Sequence, residues 1–152
     1  MRSTVIIALA VISAQAHATE LVCFTVSSVM LTNMGQEIEH EVTAPDDLQN
    51  PEFYTIFDLA AGTTSLFLVD PDGTKTREIN ELKMIDKVLY VGEYAVGSEK
   101  HHTTYLFSAD FSDGLLTEAG FVASFRCEQI SIESAEEKYS IPFSEFEEAN
   151  WR

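Results

Sequence analysis

The sequence predicts a mainly β chain: a single antiparallel β-sandwich or a small up-and-down β-barrel of roughly eight strands, with a short acidic C-terminal helical tail. Three observations carry this. After Thr19, apolar residues recur at alternate positions over most of the chain, the period at which the side chains of a strand return to one face. Turn-forming clusters interrupt those runs at spacings of roughly 8–15 residues, the rhythm of hairpin-connected sheets. Two cysteines, Cys23 and Cys127, bracket the strand-rich stretch, as a bond joining the first strand of a barrel to its last long one would.

The strands follow in order. Leu21 to Leu31 is rich in Val, Phe, Thr and Met, and Asn33-Met34-Gly35 ends it with turn chemistry. Gln36 to Thr43 alternates, with Ile38, His40 and Val42 on one face and Glu37, Glu39 and Glu41 on the other, so the two segments form a hairpin. Ala44 to Pro51 is a loop with two prolines. Phe53 to Leu59 and Thr64 to Val69 are the next pair of strands. Asp70-Pro71-Asp72-Gly73 is the strongest turn, because proline fixes one backbone angle and glycine supplies a positive one. Thr74 to Ile79 returns from it, and Asn80 to Lys87 fits either a short helix or a strand. Val88 to Val96 and His101 to Ala109 pair across Gly97-Ser98-Glu99-Lys100. Leu115 to Phe125 then runs as one segment toward Cys127.

The tail changes character. Ser134-Ala135-Glu136-Glu137 matches the capping-box pattern of a helix start, and Pro142 ends or restarts that helix. Ser144 to Trp151 reads as a short acidic helix docked by Phe143 and Phe146, covering a sheet edge or acting as an acidic recognition arm.

Residues 1–18 read as a secretory signal peptide. Arg2 gives a positive start, Val5 to Ile12 is an unbroken apolar run, and Ala14, Ala16 and Ala18 offer small-x-small cleavage sites. Cleavage after Ala18 leaves an antiparallel β domain over 19–133 and the acidic tail over 134–152. That places the protein in a secreted or periplasmic setting, where an even cysteine pair forms a disulfide. No later stretch has the roughly 20 consecutive apolar residues of a transmembrane helix.

With 9 Lys+Arg against 25 Asp+Glu, the formal charge is −16. That excludes a generic nucleic-acid binder, which needs cations to displace counterions from phosphate. Hydrophobic residues at 45% and aromatics at 11% argue against disorder. No glycine-rich phosphate loop, nucleophile elbow or His-Glu-x-x-His helix is present, so a non-catalytic role is favoured over an enzyme and no cofactor is expected. Asp70-Pro71-Asp72-Gly73 fails as a calcium loop because glycine arrives at the fourth position and Lys75 and Arg77 stand where oxygen ligands belong. His40, His101 and His102 form no metal site on their own, since adjacent strand residues point to opposite faces.

The acidic balance is the main functional lead. Its plain reading is solubility and protection of sheet edges. Its sharper reading is an exported binding module whose Glu37, Glu39 and Glu41 contact a basic exported partner such as a lysozyme or nuclease, in an inhibitor or immunity-type role. Two alternatives accompany it: a barrel whose aromatics line a pocket for a small apolar ligand, and a small metal-dependent hydrolase using His40 with His101 or His102.

Overall fold

Strand β1 (Glu20–Leu31) carries more of the architecture than any other element. The computed structural model describes residues 20–31, 38–96 and 99–149, so the signal segment and its cleavage site lie outside the described residues. Beside β1 are β2 (Ile38–Val42), β3 (Tyr54–Asp58), β4 (Thr63–Val69), β5 (Lys75–Asp86), β6 (Leu89–Val96), β7 (Glu99–Phe107), β8 (Asp113–Glu118) and β9 (Phe121–Glu128). Helix α1 (Ile132–Tyr139) and the two-residue strand β10 (Glu147–Glu148) follow.

Strands β1, β3, β4, β5, β6, β7, β8 and β9 pair antiparallel in that order, and β9 returns to β1. The sheet is therefore an eight-stranded barrel and not a sandwich. Cys23 lies directly opposite Cys127 in the β1–β9 register, and the two form the disulfide across the closing seam. Two strands are long enough to serve two neighbours on one edge. The first half of β1 pairs with β3, and after a bulge between Thr25 and Ser27 the second half pairs with β2. Strand β5 pairs with β4 over Lys75–Glu81 and with β6 over Glu81–Asp86. The β4 pairing occupies one edge of β5; the other edge is shared by β6 and by β10, which pairs in parallel, Glu147 against Thr76 and Glu148 against Arg77.

One local reading left open is settled, and three are corrected. Asn80 to Lys87 is strand, the continuation of β5. Leu115 to Phe125 is two strands, broken at Ala119-Gly120, where Gly120 takes a positive φ of 79°. In the tail, α1 starts at Ile132 because Ser131 is its cap, accepting from the Ser134 amide at 3.2 Å. Among the described residues, which end at Ala149, the acidic stretch after Ser144 is no α-helix: a 3₁₀ turn over Phe143–Glu145 leads into β10. It covers a sheet edge all the same.

Two apolar cores result. Alternate residues of the ring point inward, and Leu21, Phe57, Tyr90, Tyr105, Phe107 and Phe125 are buried among the barrel core. On the outer face of β1, β3 and β4, a second core forms where Ile141, Phe143 and Phe146 from the tail meet Tyr54, Ile56 and Phe67. Phe67 lies 4.7 Å from the Phe143 ring and 5.2 Å from Phe146. The tail thus supplies the apolar layer that an outward-facing Tyr54 and Phe67 require.

The end of the barrel carrying the β7–β8 turn is plugged. Phe111 adopts a φ of 58°, which places its ring 5.4 Å from Phe107 and 6.5 Å from Tyr90. The same turn is tied by Asp110, which accepts from the Ser108 hydroxyl at 2.7 Å and from the Ser112 amide and hydroxyl at 3.2 and 2.9 Å. These donors hold the Asp110 carboxyl down at about 2, from an ordinary 3.8. A depressed carboxyl stabilises the fold above its unfolded value and loses that contribution as pH falls toward its folded one. Acid titration of wild type and Asp110→Asn, followed by unfolding, should therefore give curves that converge between pH 3.8 and about 2. Parallel curves through that window would count against the contribution.

Candidate functional site

At the opposite end, the interior opens. Leu66, Glu78, Asn80, Tyr94, Thr103 and Glu118 line a pocket of about 260 Å³, with Gly92, Tyr105 and Leu116 completing it. The pocket exists because of one residue. Along β6 the inward positions are Tyr90, Gly92 and Tyr94, so glycine leaves a gap between two aromatic rings. A Cβ at Gly92 would stand 3.0 Å from the Tyr105 ring, which fills the floor beneath it. Deeper in, the rings pack on one another, and in this pocket Glu78, Glu118, Asn80 and Thr103 stand among the apolar surfaces of Leu66, Leu116 and the tyrosine rings.

Register fixes which acids face it. Thr103 and Glu118 stand side by side on β7 and β8, because Thr104 pairs with Thr117. Thr103 Oγ1 donates to Glu118 Oε2 at 3.1 Å and the Tyr94 hydroxyl donates to Glu118 Oε1. Glu78 comes from β5, opposite Leu66 on β4. The charge of Glu118 acts on its neighbours. Its carboxylate, accepting the Tyr94 hydrogen bond, pushes that phenol up to about 12. Tyr105 is also raised to about 12, chiefly by burial, with the Thr103 and Thr64 hydroxyls opposing the shift. Both phenols stay neutral at physiological pH, and that of Tyr94 donates to Glu118. Among the described residues, neither Glu78 nor Glu118 forms an ion pair with a lysine, arginine or histidine.

The acidic strand singled out in the sequence belongs to this end of the barrel. Glu118 pairs with Phe121, Phe121 with Met30, and Met30 with Glu39. The next rung runs Leu116, Ala123, Ser28, Glu41. The β1–β2 hairpin thus extends the wall of the barrel past its open end, at the register of the pocket acids. Glu41 is exposed; Glu37 lies outside the described residues. Sequence reasoning missed Glu78 and Glu118. The available signal was a carboxylate in phase with the apolar positions of a strand: Glu118 stands in step with Gly114 and Leu116, and Glu78 with Asn80 and Leu82.

The two histidines with described side chains, His101 and His102, do not converge. His101 pairs with Tyr94 and stacks on it with ring centroids 5.2 Å apart, at the rim of the pocket. His102 pairs with Glu93, whose carboxylate is 4.0 Å away, on the other face. The side chain of His40 lies outside the described ones. Among the described residues no group of three or more His, Cys, Asp or Glu is placed to hold a metal ion, and no helix is long and apolar enough to cross a membrane. Comparison with protein-family models, with curated proteins and with solved structures finds no match.

Proposed function

We propose that this chain is a non-catalytic binding module for a basic exported protein, and that a lysine or arginine of the partner enters the acidic mouth of the barrel. The observation that carries the reading is the pair Glu78 and Glu118, lining one pocket with no cation paired to either among the described residues. A carboxylate facing a partly enclosed pocket interacts with a cation more strongly than one in open water, because fewer waters screen it. The Tyr94 and Thr103 donors hold Glu118 in one orientation, so an incoming guanidinium meets a fixed acceptor. The net charge of −16 adds long-range attraction. The volume suits one extended side chain better than a macromolecular segment.

The test is binding of the processed chain to basic exported proteins, a lysozyme and a secreted nuclease first, by calorimetry across a salt series. Affinity is expected to fall steeply as ionic strength rises, since exposed charges are screened beyond about 8–10 Å. A Glu78→Gln/Glu118→Gln variant is expected to bind at least about tenfold more weakly, or ~1.4 kcal/mol. Binding that ignores both salt and the double variant would defeat the proposal.

A further inference from the structure

A larger groove of about 550 Å³ lies outside the barrel, between the outer face of β1, the segment Thr43–Leu48 and α1. Its walls are mainly apolar, with Phe24, Tyr54 and Tyr139 supplying aromatic surface and Leu48 standing over them. The groove is built by packing already satisfied elsewhere. Tyr54 is 1% exposed, its ring lies 5.1 Å from Phe24 and 5.6 Å from Tyr139, and its hydroxyl donates to the Leu48 carbonyl at 2.7 Å. That bond holds the 3₁₀ turn Pro45–Gln49 above the floor. Leu48 is nonetheless 40% exposed, an apolar side chain facing the gap.

The polar groups of the groove are unusual for so acidic a chain. Two of its nine Lys and Arg residues, Arg126 and Lys138, stand here with a single carboxylate, Glu128. Glu128 is fully engaged: Lys138 Nζ donates to its oxygens at 2.7 and 2.6 Å, and the Tyr139 hydroxyl at 2.6 Å. Arg126, opposite Asp113 in the β8–β9 register, forms no ion pair among the described residues. The groove therefore combines apolar walls with one uncommitted cation.

Backbone geometry excludes a peptide added as a strand. The edge of β1 beside the groove is filled by β3 as far as Phe24 and by β2 from Ser27, and the Val26 carbonyl accepts from the Thr43 amide at 3.0 Å. An occupant must bind through apolar contact and one ionic group, with few hydrogen bonds of its own. We propose that the groove binds a single-chain amphiphile with an anionic head, a fatty-acid-like carboxylate, its acyl chain on Phe24, Tyr54 and Tyr139 beneath Leu48 and its carboxylate on Arg126. The volume falls in the range of about 300–1,000 Å³ typical of small-molecule sites, and an acyl chain gains free energy with each buried methylene. The overall negative charge opposes an anion at a distance, but that repulsion is screened at physiological ionic strength more strongly than a direct hydrogen-bonded contact at Arg126.

The experiment is calorimetry with decanoate, below its micelle threshold, against the neutral 1-decanol. One equivalent of decanoate is expected to bind saturably. Arg126→Gln is expected to weaken decanoate roughly tenfold and leave decanol unchanged, the scale of a hydrogen bond to a charged group. Leu48→Glu, which changes a side chain 40% exposed at the lip of the groove, is expected to weaken both ligands. Absence of saturable decanoate binding, or equal binding by wild type and Arg126→Gln, would overturn the assignment. Neither result bears on the acidic mouth, which lies elsewhere on the barrel.

Discussion

Reducing the Cys23–Cys127 bond is expected to lower the free energy of unfolding by about 4–5 kcal/mol, the entropy of closing so long a loop in the unfolded chain. The two residues are 104 positions apart and directly opposed across the seam that closes the barrel. In the folded state both are buried, and two thiols fit the same space as small apolar groups. Register is held independently by the β1–β9 pairing from Val22–Glu128 to Met30–Phe121, so the reduced barrel should keep its fold and lose stability. Urea unfolding with and without reductant measures this, with a Cys23→Ala/Cys127→Ala variant as the covalent control. The reduced protein should also show a steeper dependence on urea, because its unfolded chain exposes more surface. A loss below about 1 kcal/mol would mean that the unfolded chain already keeps β1 near β9.

That bond also shows why the barrel was legible before its topology was. Period-two alternation, the Asp70-Pro71-Asp72-Gly73 turn and the cysteine positions are local or nearly local signals, and each marks an element that the structure contains. What escaped the sequence depends on neighbours distant along the chain. Asn80 to Lys87 has no decisive periodicity, and it is strand because β6 supplies its partner. Ser144 to Trp151 carries helix-forming glutamates, but Glu147 and Glu148 pair with Thr76 and Arg77 because the β5 edge is open there. The candidate site divides the same way. The Glu39 and Glu41 stripe is visible as alternation, whereas Glu78 and Glu118 look like ordinary solvated acids until closure turns their faces toward one space. The aromatics repeat the lesson, since Tyr54 and Phe57 sit three apart on one strand and serve opposite cores.

Phe57→Ala is expected to cost about 3–5 kcal/mol, the range for emptying a large aromatic site in a core. Phe57 is 0% exposed and lies 5.0 Å from the Tyr105 ring, 5.1 Å from Phe107 and 6.2 Å from Phe125, all at steep angles. Strand β3 stands across the ring of eight from β7, so this side chain joins opposite walls. Edge-to-face pairs of this kind add about 0.5–1.5 kcal/mol each beyond buried area. The walls cannot collapse into the space left behind, because each is held to its neighbours by backbone ladders around a closed ring. Phe57→Leu should recover much of the loss, and Leu106→Ala, exposed on the outer face, should stay within about 0.5 kcal/mol. Chemical unfolding of the oxidised protein measures all three. The result also bears on the mouth of the barrel: Tyr105 is at once the partner of Phe57 and the floor of the acidic pocket. If Phe57 fixes that floor, Phe57→Ala should weaken binding of a basic partner at temperatures where the variant is still folded, whereas Leu106→Ala should leave it unchanged.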